Sequence, residues 1–260
     1  MTTVPAALRR AQILERIERD GGVTVADVAR LHAISNMTAH RDLEQLAREG
    51  LVERVRGGAR ALGVRPARVH PTAWEHRIDA AAGAKAAIAE HAATLVASGA
   101  TIFLDASTTA LALAHRLIRD PPLDLTLVTN SPMIAAEINA DAIHVVVCPG
   151  ELDQHTRTIT GRWTTEFIRR LNFDVAFVSS AGVTVEAGLT TSRGPIADVA
   201  RAACEVAARA VALVDSAKFG RASLVSIAPA GALDLVVSDS ALDADLATAF
   251  RAAGGQLHLA

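Results

Sequence analysis

Three hydroxyl side chains follow one another at residues 107–109, immediately after an apolar segment typical of a buried strand. That segment is Thr101–Asp105, and a helical pattern follows the hydroxyls. The first backbone N–H groups of a helix have no partner within the helix, so hydroxyls beside them can help to bind a phosphate. N-capping alone would account for one or two of the three. The stretch is therefore a candidate phosphate-binding turn, with helix capping as the alternative.

A lysine and an amide follow two other strand patterns and could serve the same ligand. Lys218 stands in Asp215-Ser216-Ala217-Lys218-Phe219-Gly220 and is one of two lysines, beside Lys85, in a chain that otherwise uses arginine. Its ammonium suits a phosphate or a carboxylate, although an ordinary surface lysine is the alternative. Thr129-Asn130-Ser131 supplies further ligand donors or, alternatively, a helix cap.

These groups come together if the chain after residue 83 folds as alternating strands and helices. A long helix is predicted from Ala84 to Ser98. Strands rich in Val, Ile and Leu that alternate with helices predict a mostly parallel sheet covered on both faces. Ligands of such sheets bind at the carboxyl ends of the strands, where the candidate residues stand. The strand candidates are Thr101–Asp105, Leu125–Thr129, His144–Cys148, Val175–Ser179, Val211–Asp215, Leu224–Ile227, Leu235–Ser238 and Gln256–Leu259.

The N-terminal part of the chain carries three helical patterns of a different kind. The first has apolar residues at helical spacing over residues 8–17 and ends at Asp20-Gly21-Gly22, and the second is a short amphipathic helix around Val25–Leu31. After a turn at residues 32–34, Ser35 caps the third helix, which runs to Glu49. One face of this third helix should pack on the first two helices. Its apolar residues are Ala39, Leu43 and Leu46.

The opposite face of the third helix, near its start, carries side chains that can read DNA. They are Asn36, Met37, His40 and Arg41. A recognition helix touches base edges with its N-terminal residues, and Asn, His and Arg provide hydrogen bonds there. An ordinary solvated helix face is the alternative. Asp42 and Glu44 would repel phosphate, so we expect them to face away from DNA or to pair with arginine.

Residues 51–62 predict a two-stranded β-wing. Leu51–Val55 alternates like a strand, residues 56–60 make a tight Gly-Gly turn, and Ala61-Leu62 returns. Arg54, Arg56 and Arg60 of this wing can reach phosphates or the minor groove, and a solvated hairpin is the alternative. A short helix-turn-helix followed by such a wing is how small domains place one helix in a DNA groove.

The charge distribution separates the two parts of the chain. Residues 1–70 contain twelve arginines and eight acidic residues, a net charge of +4, whereas the remainder carries −6. A basic N-terminal part on an acidic body suits a DNA-binding module joined to a unit that need not touch DNA.

Composition argues against several other classes. Cys148 and Cys204 form no C-x-x-C pair and the nine histidines show no ligand spacing, so we expect neither a disulfide framework nor a metal site. P-loop and G-x-S-x-G motifs do not occur, and we predict no catalytic residue and no cofactor. No apolar run reaches the roughly 20 residues that span a bilayer, and no signal pattern opens the chain, so the expected location is the cytoplasm, away from membranes.

The N-terminal part resembles the winged helix-turn-helix of DeoR-type bacterial repressors. The resemblance is carried by Arg10-Ala-Gln-Ile13-Leu14, Val23-Thr-Val25-Ala-Asp-Val28-Ala29, Ser35-Asn-Met-Thr38-Ala-His40-Arg41-Asp42-Leu43 and Arg54-Val-Arg56-Gly57-Gly58-Ala59. His40 stands where the family has the first arginine of Arg-Arg-Asp, which bears on the operator sequence and leaves the module intact. The predicted DNA contacts are Ser35, Asn36, Met37, Thr38, His40, Arg41, Arg54, Arg56 and Arg60.

The rest of the chain resembles the sensor domain of the same repressors, which is similar in fold to ribose-5-phosphate isomerase and binds a phosphorylated sugar or related intermediate. The matching segments are Ile102-Phe-Leu-Asp105-Ala-Ser-Thr108-Thr109, Thr129-Asn130, Asp174-Val-Ala-Phe177 to Gly182-Val183, Gly188-Leu-Thr-Thr191 and Asp215-Ser216-Ala217-Lys218-Phe219-Gly220. Ala106-Ser107 replaces the Gly-containing pair frequent there, which affects how closely a phosphate approaches. The implied effector contacts are Asp105, Ser107, Thr108, Thr109, Asn130, Gly182 and Lys218.

Together these observations predict an α/β protein with a winged helix-turn-helix at residues 1–62, a proline-containing linker at 63–82 and a mostly parallel α/β sensor domain at 83–260. The expected function is a sequence-specific transcriptional regulator, a repressor of a carbohydrate-catabolism operon. A phosphorylated sugar or sugar acid is expected to release it from double-stranded operator DNA. One short helix reads few base pairs, so we expect a homodimer or a higher homo-oligomer.

A sugar-phosphate isomerase with an appended DNA-binding domain is the alternative function. Isomerisation by proton transfer needs a positioned carboxylate base. The isomerase family places acidic residues in a loop that corresponds here to Ser179–Val183, which contains none. Glu186 and Asp198 lie nearby in the sequence but outside any matching motif. Ligand binding without turnover is therefore the better interpretation.

Overall fold

The computed structural model describes residues 5–20, 22–55, 57–61 and 74–260, without the side chains of residues 18–20, 60, 61, 75 and 76. The chain divides into two compact units, Met1–Arg68 and Val69–Ala260. Most of the predicted linker falls on residues 62–73, which lie outside the described residues. Within the described ranges, no helix combines the length and the apolar character that crossing a membrane requires.

The first unit consists of three helices and a small antiparallel sheet. Hydroxyl side chains start its second and third helices, because Thr24 Oγ1 accepts from the backbone of Asp27 and Ser35 Oγ accepts from that of Thr38. Ala33, in the left-handed conformation at φ 50°, ends the second helix. The elements are α1 (Ala6–Asp20), β1 (Gly22–Thr24), α2 (Val25–His32), α3 (Asn36–Arg48), β2 (Val52–Val55) and β3 (Gly58–Ala61).

The three strands of this unit pair in the order β1-β3-β2. A Cβ at Gly58 would lie 2.1 Å from the carbonyl oxygen of Val23, so only glycine lets β1 join the wing at that point. The predicted apolar face of α3 is buried, and it packs with residues of the other two helices and the sheet. This core consists of Ile13, Ile17, Val25, Val28, Ala39, Leu43, Leu46, Val52 and Ala59.

The second unit is the body of the protein, in which strands and helices alternate. Its helices are α4 (Trp74–Asp79), α5 (Ala82–Ala93), α6 (Thr108–Arg119), α7 (Pro132–Glu137), α8 (Arg162–Ile168), α9 (Gly194–Val206) and α10 (Ala244–Ala252). Its strands are β4 (Thr101–Leu104), β5 (Leu125–Thr129), β6 (Ile143–Val147), β7 (Glu151–Asp153), β8 (Thr158–Thr160), β9 (Val175–Val178), β10 (Gly182–Thr184), β11 (Gly188–Thr191), β12 (Ala210–Leu213), β13 (Val225–Ala228), β14 (Leu235–Ser238) and β15 (Leu257–Leu259).

Seven of these strands form one sheet in the order β15-β14-β12-β9-β4-β5-β6, and each neighbouring pair is parallel. Successive residues of β4 enter opposite cores: Phe103 packs on one face, while Ile102 and Leu104 pack on the other. The sheet is therefore covered on both faces, as the continuous apolar strands predicted. From β4 the chain adds strands on one side, and from β9 on the other, so the order reverses between these two strands. Such a reversal opens a crevice at the carboxyl ends.

Two regions of the body differ from the sequence prediction. The helix predicted from Ala84 to Ser98 is α5, which ends at Ala93, since Thr94 Oγ1 donates to the carbonyl of His91 and competes with the helical pattern. The strand predicted at Leu224–Ile227 is β13, but it pairs antiparallel with β11 in a small sheet of order β10-β11-β13. The antiparallel hairpin β7–β8 was not predicted at all.

Acid is expected to destabilise the body through a stacked histidine pair. The rings of His91 on α5 and His258 on β15 lie 3.5 Å apart at an angle of 10°. Burial, followed by the neighbouring His258 and Arg209, lowers the pKa of His91 below its ordinary 6.5, so the folded state holds this ring neutral. As the pH falls below 6.5, the unfolded chain takes up this proton first, and the free energy of unfolding decreases.

Urea unfolding of the full chain, followed by tryptophan fluorescence, measures this effect. Trp74 and Trp163, the two tryptophans of the chain, both belong to the body. His91→Phe keeps a stacking ring and should reduce the pH dependence between about pH 7.5 and 5.5. His144→Phe, at an exposed position on β6, is the control and should leave it unchanged. A pH dependence that is the same in His91→Phe and in the wild-type protein would show that His91 is not held neutral.

Candidate nucleic-acid interface and ligand cavity

The start of α3 presents the side chains that the sequence assigned to DNA contact. Asn36, Met37, His40 and Arg41 are exposed, and Met37 reaches 64% exposure. Thr38 and Ser35 bond each other through their hydroxyls at 2.9 Å, so they shape the beginning of the helix.

A side-chain contact that sequence reasoning missed joins the wing to α3. Arg54 of β2 donates from Nη1 to the carbonyl of Gly58 at 2.6 Å, and its Nη2 lies 3.2 Å from Nδ1 of His40. A guanidinium only donates, so Nδ1 of His40 is the acceptor in this contact. Arg56 lies outside the described residues. Arg60 belongs to β3, but its side chain is also outside the description.

Asp42 does not face the solvent beside the DNA-reading residues. It is buried and accepts from Nε of Arg9 on α1 at 2.6 Å and from Nη2 of the same guanidinium at 3.3 Å. The guanidinium of Arg10 lies 3.7 Å away on the same carboxylate. The prediction that Asp42 pairs with arginine is confirmed, and Glu44 is exposed. This ion pair joins α3 to α1, beside the apolar core that the two helices share.

A cavity of about 470 Å³ opens in the body where the strand order reverses. Its volume lies within the roughly 300–1,000 Å³ of small-molecule sites. The walls come from residues after β4, β5, β9 and β12, from α4 and α5, and from the hairpin β7–β8. The polar residues that line it are Arg77, Lys85, Asp105, Ser107, Thr108, Thr109, Asn130, Thr156, Thr158, Ser179, Ser180, Thr191, Ser192, Asp215, Lys218 and Arg221.

The N-terminus of α6 forms one wall of this cavity. Ser107 caps the helix by accepting from the backbone N–H of Ala110 at 3.0 Å. The cap leaves the amides of Thr108 and Thr109, the first two residues of the helix, without a partner inside the helix. Helix capping, the alternative considered from the sequence, therefore explains one of the three hydroxyls. The backbone amides of the turn can still bind an anion.

Asp105 braces this wall against the neighbouring loop. Its carboxylate accepts from the backbone of Ser107 at 3.0 Å and from that of Ser179, after β9, at 2.7 Å. Burial raises the pKa of Asp105, while these hydrogen bonds oppose the shift. The side chain lines the cavity and at the same time ties together the two loops at the point of strand reversal.

Three oxygen atoms at the cavity have no hydrogen-bond partner among the described residues. They are Oδ1 of Asn130, whose amide nitrogen donates to the carbonyl of Ile159 at 2.9 Å, Oγ1 of Thr156 and Oγ of Ser180. Asn130 is only 2% exposed. A buried carbonyl oxygen without a partner is costly, so a ligand donor that reaches it would be favoured.

Cationic residues surround the same space. Lys218 is half-buried, at the end of the turn after β12, and Arg221 is exposed at the cavity edge. Lys85 is buried and donates to the carbonyls of Arg77, Ile78 and Ala80, and burial lowers its pKa. With Arg77, four cationic residues therefore line the cavity.

Six of the seven effector contacts that the resemblance implied line this one cavity, and Gly182 does not. Gly182 is buried in β10, where a Cβ would lie 2.4 Å from the carbonyl oxygen of Arg221, so its small size serves strand packing. Sequence reasoning missed several lining residues. The sequence placed Ser179 and Ser180 only at the end of a predicted strand. Lys85 was noted only as one of two lysines, and no motif or spacing pointed to Arg77.

The acidic residues considered for proton transfer lie elsewhere. Glu186 is exposed, and Asp198 is exposed and pairs with Arg201 at 2.6 Å. Neither lines the cavity, whose carboxylates are Asp105 and Asp215. Among the described residues, no cluster of three or more His, Cys, Asp or Glu side chains could hold a metal ion. Burial raises the pKa of the free thiols Cys148 and Cys204 to about 12, so neither is a ready nucleophile.

An exposed, capped helix beside a β-wing in one unit, with a donor-lined cavity in the other, defines a DNA-binding regulator with a small-molecule site. The sequence matches the DeoR-like helix-turn-helix domain over residues 9–63 and the DeoR C terminal sensor domain over residues 80–240. The chain therefore belongs to the DeoR family of transcriptional regulators. The predicted family and the predicted α/β fold class are confirmed.

Two named transcriptional regulators match this chain over most of their length. The HTH-type transcriptional regulator GlpR of Haloferax volcanii is 34% identical over 250 residues, which cover 95% of each chain. The glycerol-3-phosphate regulon repressor of Escherichia coli K12 is 28% identical and covers 89% of this chain and 90% of its own. Among solved structures, ribose 5-phosphate isomerase A of Methanocaldococcus jannaschii is similar to 52% of this chain and 53% of its own, with 21% identity and a TM-score of 0.38. A score this low carries no functional argument.

Proposed function

We propose that this regulator binds operator DNA through α3 and the wing and is released when a phosphorylated sugar or sugar acid occupies the body cavity. The phosphorylated ligand class is supported by one observation: a helix N-terminus, Lys218 and the unpartnered oxygen of Asn130 all line the same cavity. Carbohydrate-catabolism genes are the regulated targets that such a ligand suggests.

The anionic part of the ligand fits the side of the cavity formed by α6. The amides of Thr108 and Thr109 point out of the helix start, whose dipole favours negative charge. Lys218 lines the same cavity and adds a full positive charge. A phosphate monoester, with several acceptor oxygens and about two negative charges, can use the amides and the ammonium at the same time.

The uncharged part of the ligand fits the remaining walls. Asn130 Oδ1 and the carboxylates of Asp105 and Asp215 accept hydrogen bonds, and Ser180 Oγ can donate or accept. A ligand with several hydroxyl groups can form hydrogen bonds with all of these acceptors and with the serine hydroxyl. The name of the E. coli glycerol-3-phosphate regulon repressor, a relative over most of its length, associates that protein with a phosphorylated polyol.

Binding without turnover is favoured over the isomerase alternative by the placement of the acidic groups. Asp105 already accepts two backbone hydrogen bonds, and Glu186 and Asp198 do not line the cavity. Asp215 is the carboxylate that the alternative would have to use. Recognition of two operator half-sites further suggests that the regulator acts as a homodimer or a higher homo-oligomer.

A thermal-shift and calorimetry screen tests this proposal. The probes are glycerol 3-phosphate, ribose 5-phosphate, fructose 6-phosphate and 6-phosphogluconate, each paired with its unphosphorylated form as the control. We expect a phosphorylated member to stabilise the protein, by about 2.7 kcal/mol at a hundred times its Kd, and to be recovered unchanged. Equal effects of the paired compounds would contradict a phosphate site, and a recovered isomer would favour the enzyme.

Replacing Lys218 with methionine should separate DNA binding from effector response. Loss of a charge-assisted bond to phosphate is expected to cost about 1.5–3 kcal/mol, a weakening of roughly 10- to 150-fold for the compound found in the screen. Operator affinity in its absence should be unchanged. Arg170→Met, at an exposed position of the body outside the cavity lining, is the matched control. A wild-type response of the Lys218 variant would remove this lysine from the site.

A further inference from the structure

Two residues that line the ligand cavity form hydrogen bonds to the backbone of the helix α4 and of the turn that follows it. Thr108 Oγ1, at the start of α6, donates to the carbonyl of Arg77 at 3.3 Å. Lys85 donates to the same carbonyl and to those of Ile78 and Ala80. Thr108 and Lys85 both line the cavity, and so does Arg77. A ligand that bonds any of these three side chains therefore acts on the residues that position α4.

The side of α4 that carries Arg77 also meets the hairpin β7–β8. Nη2 of Arg77 donates to the carbonyl of Thr156 at 3.2 Å, and the backbone N–H of Trp74 donates to that of His155 at 3.3 Å. Thr156 is a lining residue of the cavity. The hairpin has a second attachment, because Asp153 pairs with Arg193 in front of α9. The hairpin is thus a cavity wall, and its contacts with α4 are made by the side chain of Arg77 and the backbone of Trp74.

A bound anion would compete for that guanidinium. A hydrogen bond from a guanidinium to a phosphate is charge-assisted and stronger than one to a peptide carbonyl, and its planar fork suits phosphate oxygens. A phosphate within reach of Arg77 therefore shifts the balance away from the Thr156 carbonyl. That exchange changes how α4 is attached to the hairpin.

We infer that Arg77 contacts the effector anion and, through its place on α4, is the positioning residue that converts occupancy of the cavity into release of DNA. This inference rests on the proposed function and assigns the regulation of that site to one residue. The connection is covalent: residues 62–73 join the last described strand of the DNA-binding unit, β3, directly to α4. Among the described elements, α4 is therefore the first one of the body that follows the DNA-binding unit in the chain.

The test compares Arg77→Ala with Arg221→Ala. Both remove an arginine that lines the cavity, but only Arg77 belongs to α4 and bonds the hairpin. Binding of each of the four phosphorylated probes is measured by calorimetry. Release is measured on a DNA duplex that the wild-type protein selects from a random pool, at saturating probe. Arg77→Lys, which keeps the charge, provides a second variant in case the alanine variant is misfolded.

We expect Arg77→Ala to weaken probe binding by about 10- to 100-fold and to leave release incomplete even at saturation. Arg221→Ala should release DNA fully once saturated, and Arg77→Lys should recover part of the affinity. Full release by saturated Arg77→Ala, or unchanged probe affinity in that variant, would overturn the inference while leaving the proposed function standing. A wild-type protein that binds none of the probes would overturn both.

Discussion

Arg41→Ala is expected to abolish specific operator recognition while leaving the fold intact. Arg41 is exposed in the first half of α3, on the face that a recognition helix turns toward base edges. One arginine contact to a base discriminates by about 1–3 kcal/mol. A two-fold complex uses this contact once in each half-site. Its loss would therefore cost about 2–6 kcal/mol, or from roughly 30-fold to more than 10⁴-fold in affinity.

The control for Arg41 lies on the same helix. Arg48 is exposed in the last turn of α3, away from the N-terminal residues that meet base edges, and Arg48→Ala removes the same charge. Binding to selected and to scrambled duplexes is compared by fluorescence anisotropy at several salt concentrations. Arg41→Ala should lose the preference for the selected duplex. An equal loss for both duplexes would instead mark Arg41 as a phosphate contact, because phosphate contacts carry no sequence information.

Asp42→Ala is expected to cost the DNA-binding unit about 3–5 kcal/mol, which is the usual effect of removing one partner of a buried ion pair. The side chains of Asp42 and Arg9 are 6% and 8% exposed and meet at 2.6 Å. The substitution leaves the Arg9 guanidinium buried without this carboxylate. Because the pair joins α3 to α1, the recognition helix should lose its position together with the stability of the unit.

Hydrogen exchange followed by mass spectrometry can measure this loss inside the full chain. Tryptophan fluorescence would report on the body instead, since Trp74 and Trp163 both lie there. Protection of the α1 and α3 amides should fall in Asp42→Ala and remain in Glu44→Ala, which removes an exposed acid two residues further along the same helix. Unchanged protection in the Asp42 variant would mean that apolar packing alone fixes α3.

The parts of the fold that sequence predicted well are those with a strong local pattern. Leu125–Thr129 and Leu235–Ser238 are strands with the predicted bounds, because a short apolar run in a buried parallel sheet stands out from its polar surroundings. The hairpin β7–β8 was missed because Glu151–Asp153 is mostly exposed and has neither an apolar run nor an alternating pattern. Its pairing with Thr158–Thr160 depends on tertiary contacts that local sequence does not encode.

The candidate site likewise contains residues that the sequence predicted and residues that it did not. Ser107 and Lys218 were found because they follow strands, and the carboxyl ends of parallel strands meet at one edge. Arg77 reaches the cavity from a short helix ahead of the sheet, and its partner Thr156 is 79 positions further along the chain. The contact between His40 and Arg54 likewise needs the wing folded against α3. Such contacts depend on tertiary structure, so no spacing rule reveals them.

Titration of the DNA-bound protein with defined ligands tests whether a phosphorylated compound releases the operator. The wild-type protein is bound to its selected duplex and titrated with glycerol 3-phosphate, ribose 5-phosphate, fructose 6-phosphate and 6-phosphogluconate, while anisotropy and the chemical identity of each compound are followed. We expect that a phosphorylated compound releases the DNA, that its unphosphorylated form does not, and that the compound is recovered unchanged. DNA that stays bound at saturation of the cavity, or a compound that is converted, would contradict it.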